Sequence, residues 1–178
     1  MKIKKRLAMK NGILVLTVAV IILSVANLVL NKDDIYAHSN GVPSFECDEC
    51  HSGAEDKNIE ILLKGVPESY ISNKTYSLSL EINSDVISEG EYAGGFALSV
   101  SGGKLIVEDR KNTQISENYL THTIDGSKLR EWKFKWVAPA QKGVGEVEFT
   151  IMAVAANGDY SPNGDVVGVE TFKVKPKK

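Results

Sequence analysis

Five consecutive residues, Cys47-Asp48-Glu49-Cys50-His51, hold the densest chemistry of the chain. Two thiols three positions apart can add to the two vinyl groups on one edge of a porphyrin, and the residue that follows offers an imidazole to the iron. C-x-x-C-H is thus the spacing of covalent c-type haem attachment. The same cysteines suit a disulfide or a thiol redox pair, but a redox pair sits in a βαβ setting and none follows. Structural zinc takes four ligands, whereas Cys47 and Cys50 are the only cysteines among 178 residues and His38 and His122 lie apart from them. One covalent haem c is the leading reading, and a Cys47–Cys50 disulfide is its rival.

A haem held this way takes His51 as its proximal ligand through one ring nitrogen, while the other nitrogen donates to a carbonyl or carboxylate that fixes the tautomer. Stable electron carriers are usually six-coordinate, and outside the apolar N-terminal segment only His38, His122 and Met152 offer a nitrogen or thioether. His122 is the preferred second metal ligand. It alternates with Leu120 and Ile124, so it faces the apolar side of a strand, where a lone imidazole needs a partner to offset desolvation; a core histidine bonded to backbone satisfies the same pattern. Met152 falls between Ile151 and Ala153 and points away from the main core, which suits packing.

The elements that present this motif begin with an export segment. Lys2, Lys4, Lys5, Arg6 and Lys10 precede an apolar run from Ile13 to Leu30. Eighteen residues of helix rise roughly 27 Å, close to a hydrocarbon core of about 30 Å. The basic flank stays in the cytoplasm and everything after Leu30 lies outside it. A retained single-pass anchor in the cell membrane is expected, with a signal peptide cleaved after Ala37 as the alternative.

Four segments follow from this reading: a signal-anchor helix over 1–30, a polar tether over 31–46, the haem attachment segment over 47–64, and a β-domain over 65–178. The first 37 residues hold six basic and two acidic side chains, and the remainder holds 15 and 21, a net charge of −6. That balance argues against nucleic acid and is compatible with docking to basic redox proteins. About 140 exported residues suffice for one core that buries roughly two thirds of the unfolded surface.

Ile59, Ile61, Leu62 and Leu63 read as one short helix or a cover for an apolar ring. Beyond them the pattern turns to period two: Tyr76 to Ile82, Phe96 to Val100, Leu105 and Val107, Leu120 to Ile124, Trp132 to Trp136, Val147 to Ala155, and Val167 to Val174. In the last run the apolar parity shifts, which predicts a bulge. Ser101-Gly102-Gly103, Asp125-Gly126-Ser127, Gln141-Lys142-Gly143 and Asn157-Gly158-Asp159 punctuate these runs as turns. About seven short strands predict an all-β, immunoglobulin-like antiparallel β-sandwich, with a small barrel as the alternative. Trp132, Phe134 and Trp136 read as core. Asn157, Asp159, Asn163 and Asp165 read as a hairpin loop more than as a Ca²⁺ site. Asn73-Lys74-Thr75 is a glycosylation sequon where the host modifies exported asparagine.

Gly65-Val66-Pro67 with Tyr70, Gly95-Phe96, Thr121-His122-Thr123, Trp136-Val137-Ala138-Pro139, Gly145 to Phe149, Ala155 to Asp159 and Gly164-Asp165 together resemble the reelin-domain-like sandwich of exported prokaryotic proteins. The resemblance covers about residues 41 to 174. Its relatives often carry C-x-x-C-H ahead of the sandwich, which adds weight to haem and to the Thr-His pair as a ligand. Many end in a C-terminal anchor, whereas this sequence ends Lys175-Pro176-Lys177-Lys178, so the N-terminal helix is expected to be the anchor.

The expected function is that of a membrane-tethered, extracytoplasmic monohaem cytochrome. It passes electrons between redox proteins without catalysis of its own, and stacking of copies through self-association is compatible with it. Two rivals stand beside it: an adhesion or binding sandwich with a surface disulfide, and a thiol-disulfide redox protein.

Overall fold

The computed structural model describes residues 40–140 and 145–178. The expected N-terminal helix, His38, the first part of the tether and the Gln141-Lys142-Gly143 turn lie outside the described residues. Among the described residues no helix is long and apolar enough to cross a membrane.

The chain folds as an all-β sandwich of two sheets. A 3-10 turn, Cys47–Glu49, leads into strands β1 (Ser52–Gly53), β2 (Ile59–Lys64), β3 (Ser69–Tyr70), β4 (Thr75–Ser84), β5 (Gly94–Val100) and β6 (Lys104–Val107). These are followed by β7 (Thr113–Ser116), β8 (Tyr119–His122), β9 (Glu131–Val137), β10 (Val147–Ala155) and β11 (Asn163–Pro176). The smaller sheet runs β2-β4-β9-β6. The larger runs β1-β11-β10-β5-β8-β7, with β3 also on β11.

All seven period-two runs are strands, for the reason the pattern implies. Leu78, Leu80 and Ile82 of β4 and Trp132, Phe134 and Trp136 of β9 face Phe96, Leu98, Leu120, Phe149 and Ile151 of the larger sheet in one buried cluster. Aromatic contacts tie the sheets together: Phe96 to Trp132 at 4.7 Å and Trp136 to Phe149 at 5.0 Å between centroids. Fully burying each such side chain is worth about 1.5–3 kcal/mol. The two indoles also reach acceptors, at the Gly126 and Gly102 carbonyls.

Three expectations change. Residues 59–64 form neither a helix nor a ring cover. They are strand β2, paired antiparallel with β4 from Ile59 opposite Ser84 to Lys64 opposite Ser79. Ile59, Ile61 and Leu63 alternate towards the core, and Leu62 between them mimicked a helical face. The parity shift in the last strand is not a bulge, since β10 and β11 pair without interruption from Val147 opposite Val174 to Ala155 opposite Val166. It arises because β11 is covered on both faces: Phe172 and Val174 meet the core, whereas Val167 joins a separate cluster on the outer face. The third change concerns the tether. From Asn40 onward it lies on the larger sheet, held by Gln114 Nε2 donating to the Asn40 carbonyl at 2.6 Å and by the Val42 amide donating to Thr121 Oγ1 at 3.2 Å.

Candidate haem attachment site

The motif winds as one tight turn closed on a single carbonyl, for the Cys50 and His51 amides both donate to Cys47 O, at 3.3 and 2.9 Å. Cys47 opens this turn on an apolar floor built by Met152, Val154, Val167, Val42 and Phe45. Met152 and Val154 alternate with the inward residues of β10, so the floor is the outer face of the larger sheet. Phe45 is itself pinned edge-on against Tyr119 of β8 at 4.8 Å. The Cys47 amide finds its acceptor in Met152 Sδ, 3.3 Å away.

The two thiols differ sharply in environment. Cys50 is exposed and Cys47 only 7 % accessible. Burial pushes the Cys47 thiol up to about 11, with the Asp48 carboxylate adding to the effect. A protonated, covered thiol is a poor nucleophile, so of the two free thiols the exposed Cys50 is the more reactive. Both cysteines are free.

His51 is held from the far end of the chain. Its Nδ1 lies 2.6 Å from Asp165 Oδ2, across 114 positions of sequence. The carboxylate accepts, so Nδ1 is the donor, and in the neutral ring the lone pair is on Nε2. The imidazole is 21 % exposed and the carboxylate 2 %. Asp165 Oδ1 in turn accepts the Asn157 amide at 2.9 Å. The next residue, Ser52, donates its amide to Pro162 O at 3.0 Å, and β1 pairs parallel with the start of β11. The loop between β10 and β11 thereby grips the end of the motif.

That loop is the oxygen-rich stretch noted in the sequence, and its Asn157 and Asp159 side chains are spent on the loop itself. Asn157 Oδ1 accepts the Asp159 amide, and Asp159 Oδ1 the Ser161 amide. Among the described residues no group of three or more His, Cys, Asp or Glu side chains is arranged to hold a metal ion.

The donor set fits a covalently bound porphyrin better than a bare ion: two cysteines on one turn and an imidazole held through Nδ1 by a carboxylate. Cys47 must turn off its floor, or the floor must open, for its sulfur to form that bond.

His122 is engaged differently. It closes β8, but the ladder between β5 and β8 pairs only Ala97 with Thr121 and Leu98 with Leu120. Past that point the ring fills the place of the next rung, where Nδ1 accepts the Phe96 amide at 3.1 Å. A backbone N–H cannot accept, so Nδ1 holds the lone pair and the neutral ring carries its proton on Nε2. For His122 to serve as the expected second ligand to iron, its ring would have to give up the Phe96 bond or move its proton off Nε2. Only glycine leaves room for the ring, since a Cβ on Gly95 would stand 2.6 Å from its Cε1. The residue is 4 % exposed. The sequence placed Met152 correctly, off the core face, without showing that it underlies Cys47.

Neither a comparison with protein families nor one with curated proteins gave a match. Solved structures share the fold only distantly. A cohesin module from a Clostridium perfringens ATCC13124 family 33 glycoside hydrolase aligns with a TM-score of 0.38 and 11 % identity, over 67 % of this chain and 96 % of that one. A DUF4466 family protein from Parabacteroides merdae gives 0.37 and 12 %, over 71 % and 44 %. The sporulation control protein Spo0M of Bacillus subtilis gives 0.31 and 11 %, over 68 % and 49 %. The chain thus spans about half the length of the latter two.

Proposed function

We propose that this protein is an extracytoplasmic monohaem c-type cytochrome that passes single electrons between redox proteins and catalyses no reaction of its own. The observation that carries the reading is the His51 to Asp165 contact, which occupies Nδ1 of the motif's own histidine and leaves Nε2 for a metal. When bound, the haem would supply a one-electron ferrous/ferric couple. The chain's own part is to hold it: Cys47 and Cys50 supply the covalent bonds, and His51 the axial nitrogen. The outer face of the larger sheet, through Met152, Val154 and Val167, is covered by Val42, Phe45 and Cys47 and so anchors the turn that carries these ligands. An immunoglobulin-like, reelin-related sandwich carried on an N-terminal membrane anchor accords with this reading. So does the acidic balance of the exported part, which suits basic donor or acceptor proteins.

The test is the visible spectrum of protein made in a host with haem-maturation machinery. A Soret band that survives acid-acetone extraction is expected. A colourless product two protons lighter than the reduced chain would establish the Cys47–Cys50 disulfide of an adhesion or thiol-redox protein instead.

A further inference from the structure

We propose that Asp165 is a positioning residue for His51, a buried carboxylate that fixes the ring tautomer and strengthens the imidazole as a donor to iron, so that it favours the ferric state. The proposal rests on the haem reading above and names a determinant of its potential.

Three observations support it. The contact is short, 2.6 Å from Nδ1 to Oδ2, in the range of charge-assisted bonds. Asp165 is also fixed in space. It opens β11, where it is opposite Gly53 in the parallel ladder, and its second oxygen is taken by the Asn157 amide at 2.9 Å. With one oxygen tied to the loop, rotation about χ2 would break one bond to relieve the other. Third, the carboxylate is 2 % exposed, so its charge is poorly screened by water. Its field reaches Arg130, whose guanidinium is spent on the carbonyls of Val86, Ala93 and Ala156. Arg130 therefore compensates the charge at a distance and leaves Oδ2 to His51.

A buried carboxylate needs hydrogen-bond donors to offset desolvation, and here the imidazole is one of two. The pairing is consequential for a ligand because a carboxylate drawing on Nδ1–H raises the basicity of Nε2, and such outer partners commonly shift metal affinity 10–100-fold. A more basic axial nitrogen stabilises ferric over ferrous iron.

The experiment compares the full-length wild type with Asp165→Asn and Asp165→Glu, each made with and without haem-maturation machinery. In haem-free wild type, the ring ¹⁵N shifts of His51 are expected to show a protonated Nδ1 and a lone pair on Nε2; the opposite tautomer overturns the proposal. In loaded protein poised at one solution potential, Asp165→Asn is expected to raise the ferrous-to-ferric ratio about tenfold, equivalent to about 59 mV for a one-electron couple. Asp165→Glu, which keeps the charge, is expected to return most of that change. An unchanged ratio in the Asn variant, or equal shifts in both variants, overturns it. If Asp165→Asn does not fold, the wild-type tautomer and the Glu variant decide. A wild type that takes up no haem refutes the electron-carrier reading alone, and the His51 tautomer still decides whether Asp165 positions the ring.

Discussion

The two described histidines hold their protons on opposite nitrogens. His51 donates from Nδ1 to the Asp165 carboxylate and keeps its lone pair on Nε2. His122 accepts at Nδ1 from the Phe96 amide and keeps its proton on Nε2. One sits at the end of a turn on the outer face of the larger sheet, the other inside the plane of that sheet where β5 and β8 part. Hydrophobic patterning, together with the resemblance carried by the Thr-His pair, favoured His122 as a ligand. The difference teaches that burial does not nominate a ligand; what the ring's other nitrogen does decides whether a lone pair is left.

The largest effect that separates the two belongs to the pigment. Replacing Cys47 and Cys50 together by Ser is expected to abolish extraction-resistant haem completely. His51→Ala should remove the axial nitrogen and lower the yield of pigment, whereas His122→Ala should keep both the covalent pigment and the spin state of the wild type. A change from low-spin to high-spin in the absorption spectrum of His122→Ala would break the comparison and restore His122 to the iron.

Next in size is the cost to the fold. His122→Ala leaves the Phe96 amide without its acceptor and opens a cavity over Gly95, so a loss of about 2–4 kcal/mol in urea unfolding is expected. Gly95→Ala tests the same packing from the other side, because its methyl would meet the ring at 2.6 Å; that overpacking should cost about 1–3 kcal/mol. The two losses should not add, since removing the ring removes the clash. Full additivity would show that His122 and Gly95 are not packed as described.

The motif end has its own signature in alkali. The Cys47 thiol is held at about 11 by burial, against an ordinary 9.0. A group whose folded value is raised contributes stability that is fully present below pH 9 and is lost as pH rises through 11, because the unfolded chain releases its proton first. Haem-free, reduced protein should therefore lose at most about 3 kcal/mol across that window. Cys47→Ala should flatten the slope, and Cys50→Ala should leave it. Iodoacetamide at pH 8 should label Cys50 well before Cys47, as read by peptide mass.

How far the sequence foretold these regions follows from the range of the interactions. Trp132, Phe134 and Trp136 announce a strand because neighbours two apart share a face, a local rule. Strand β7 was missed because Thr113, Gln114, Ile115 and Ser116 carry little alternation, and β2 was misread because Leu62 fills the outward position. The motif was legible as a motif, and its setting was not. Asp165 stood out only as one oxygen among four in a loop, and no local rule pairs it with a histidine 114 positions away. A trace of the setting was present all the same: Met152 and Val154 on the wrong face of β10, with the parity change at Val167, are apolar residues that something must cover. That cover is the segment from Val42 to Cys47.

The smallest expected effect is at the one place where the two regions use the same device. At each, a side chain accepts a backbone amide that the sheet cannot: the His122 ring takes Phe96, and Met152 Sδ takes Cys47. A thioether is a weak acceptor and an imidazole nitrogen a strong one. Met152→Leu conserves volume and apolar contact with Val154 and Val167, so it should cost less than about 1.5 kcal/mol, well below His122→Ala in the same denaturant. Both amides are buried, so the weakness of the sulfur acceptor, not access of water, sets the smaller loss. Equal losses in the two variants would mean that the thioether bond fixes the motif turn as firmly as the imidazole fixes the sheet. The pigment offers a second readout: if Met152→Leu alters the spin state while His122→Ala does not, the sixth ligand comes from the floor beneath Cys47.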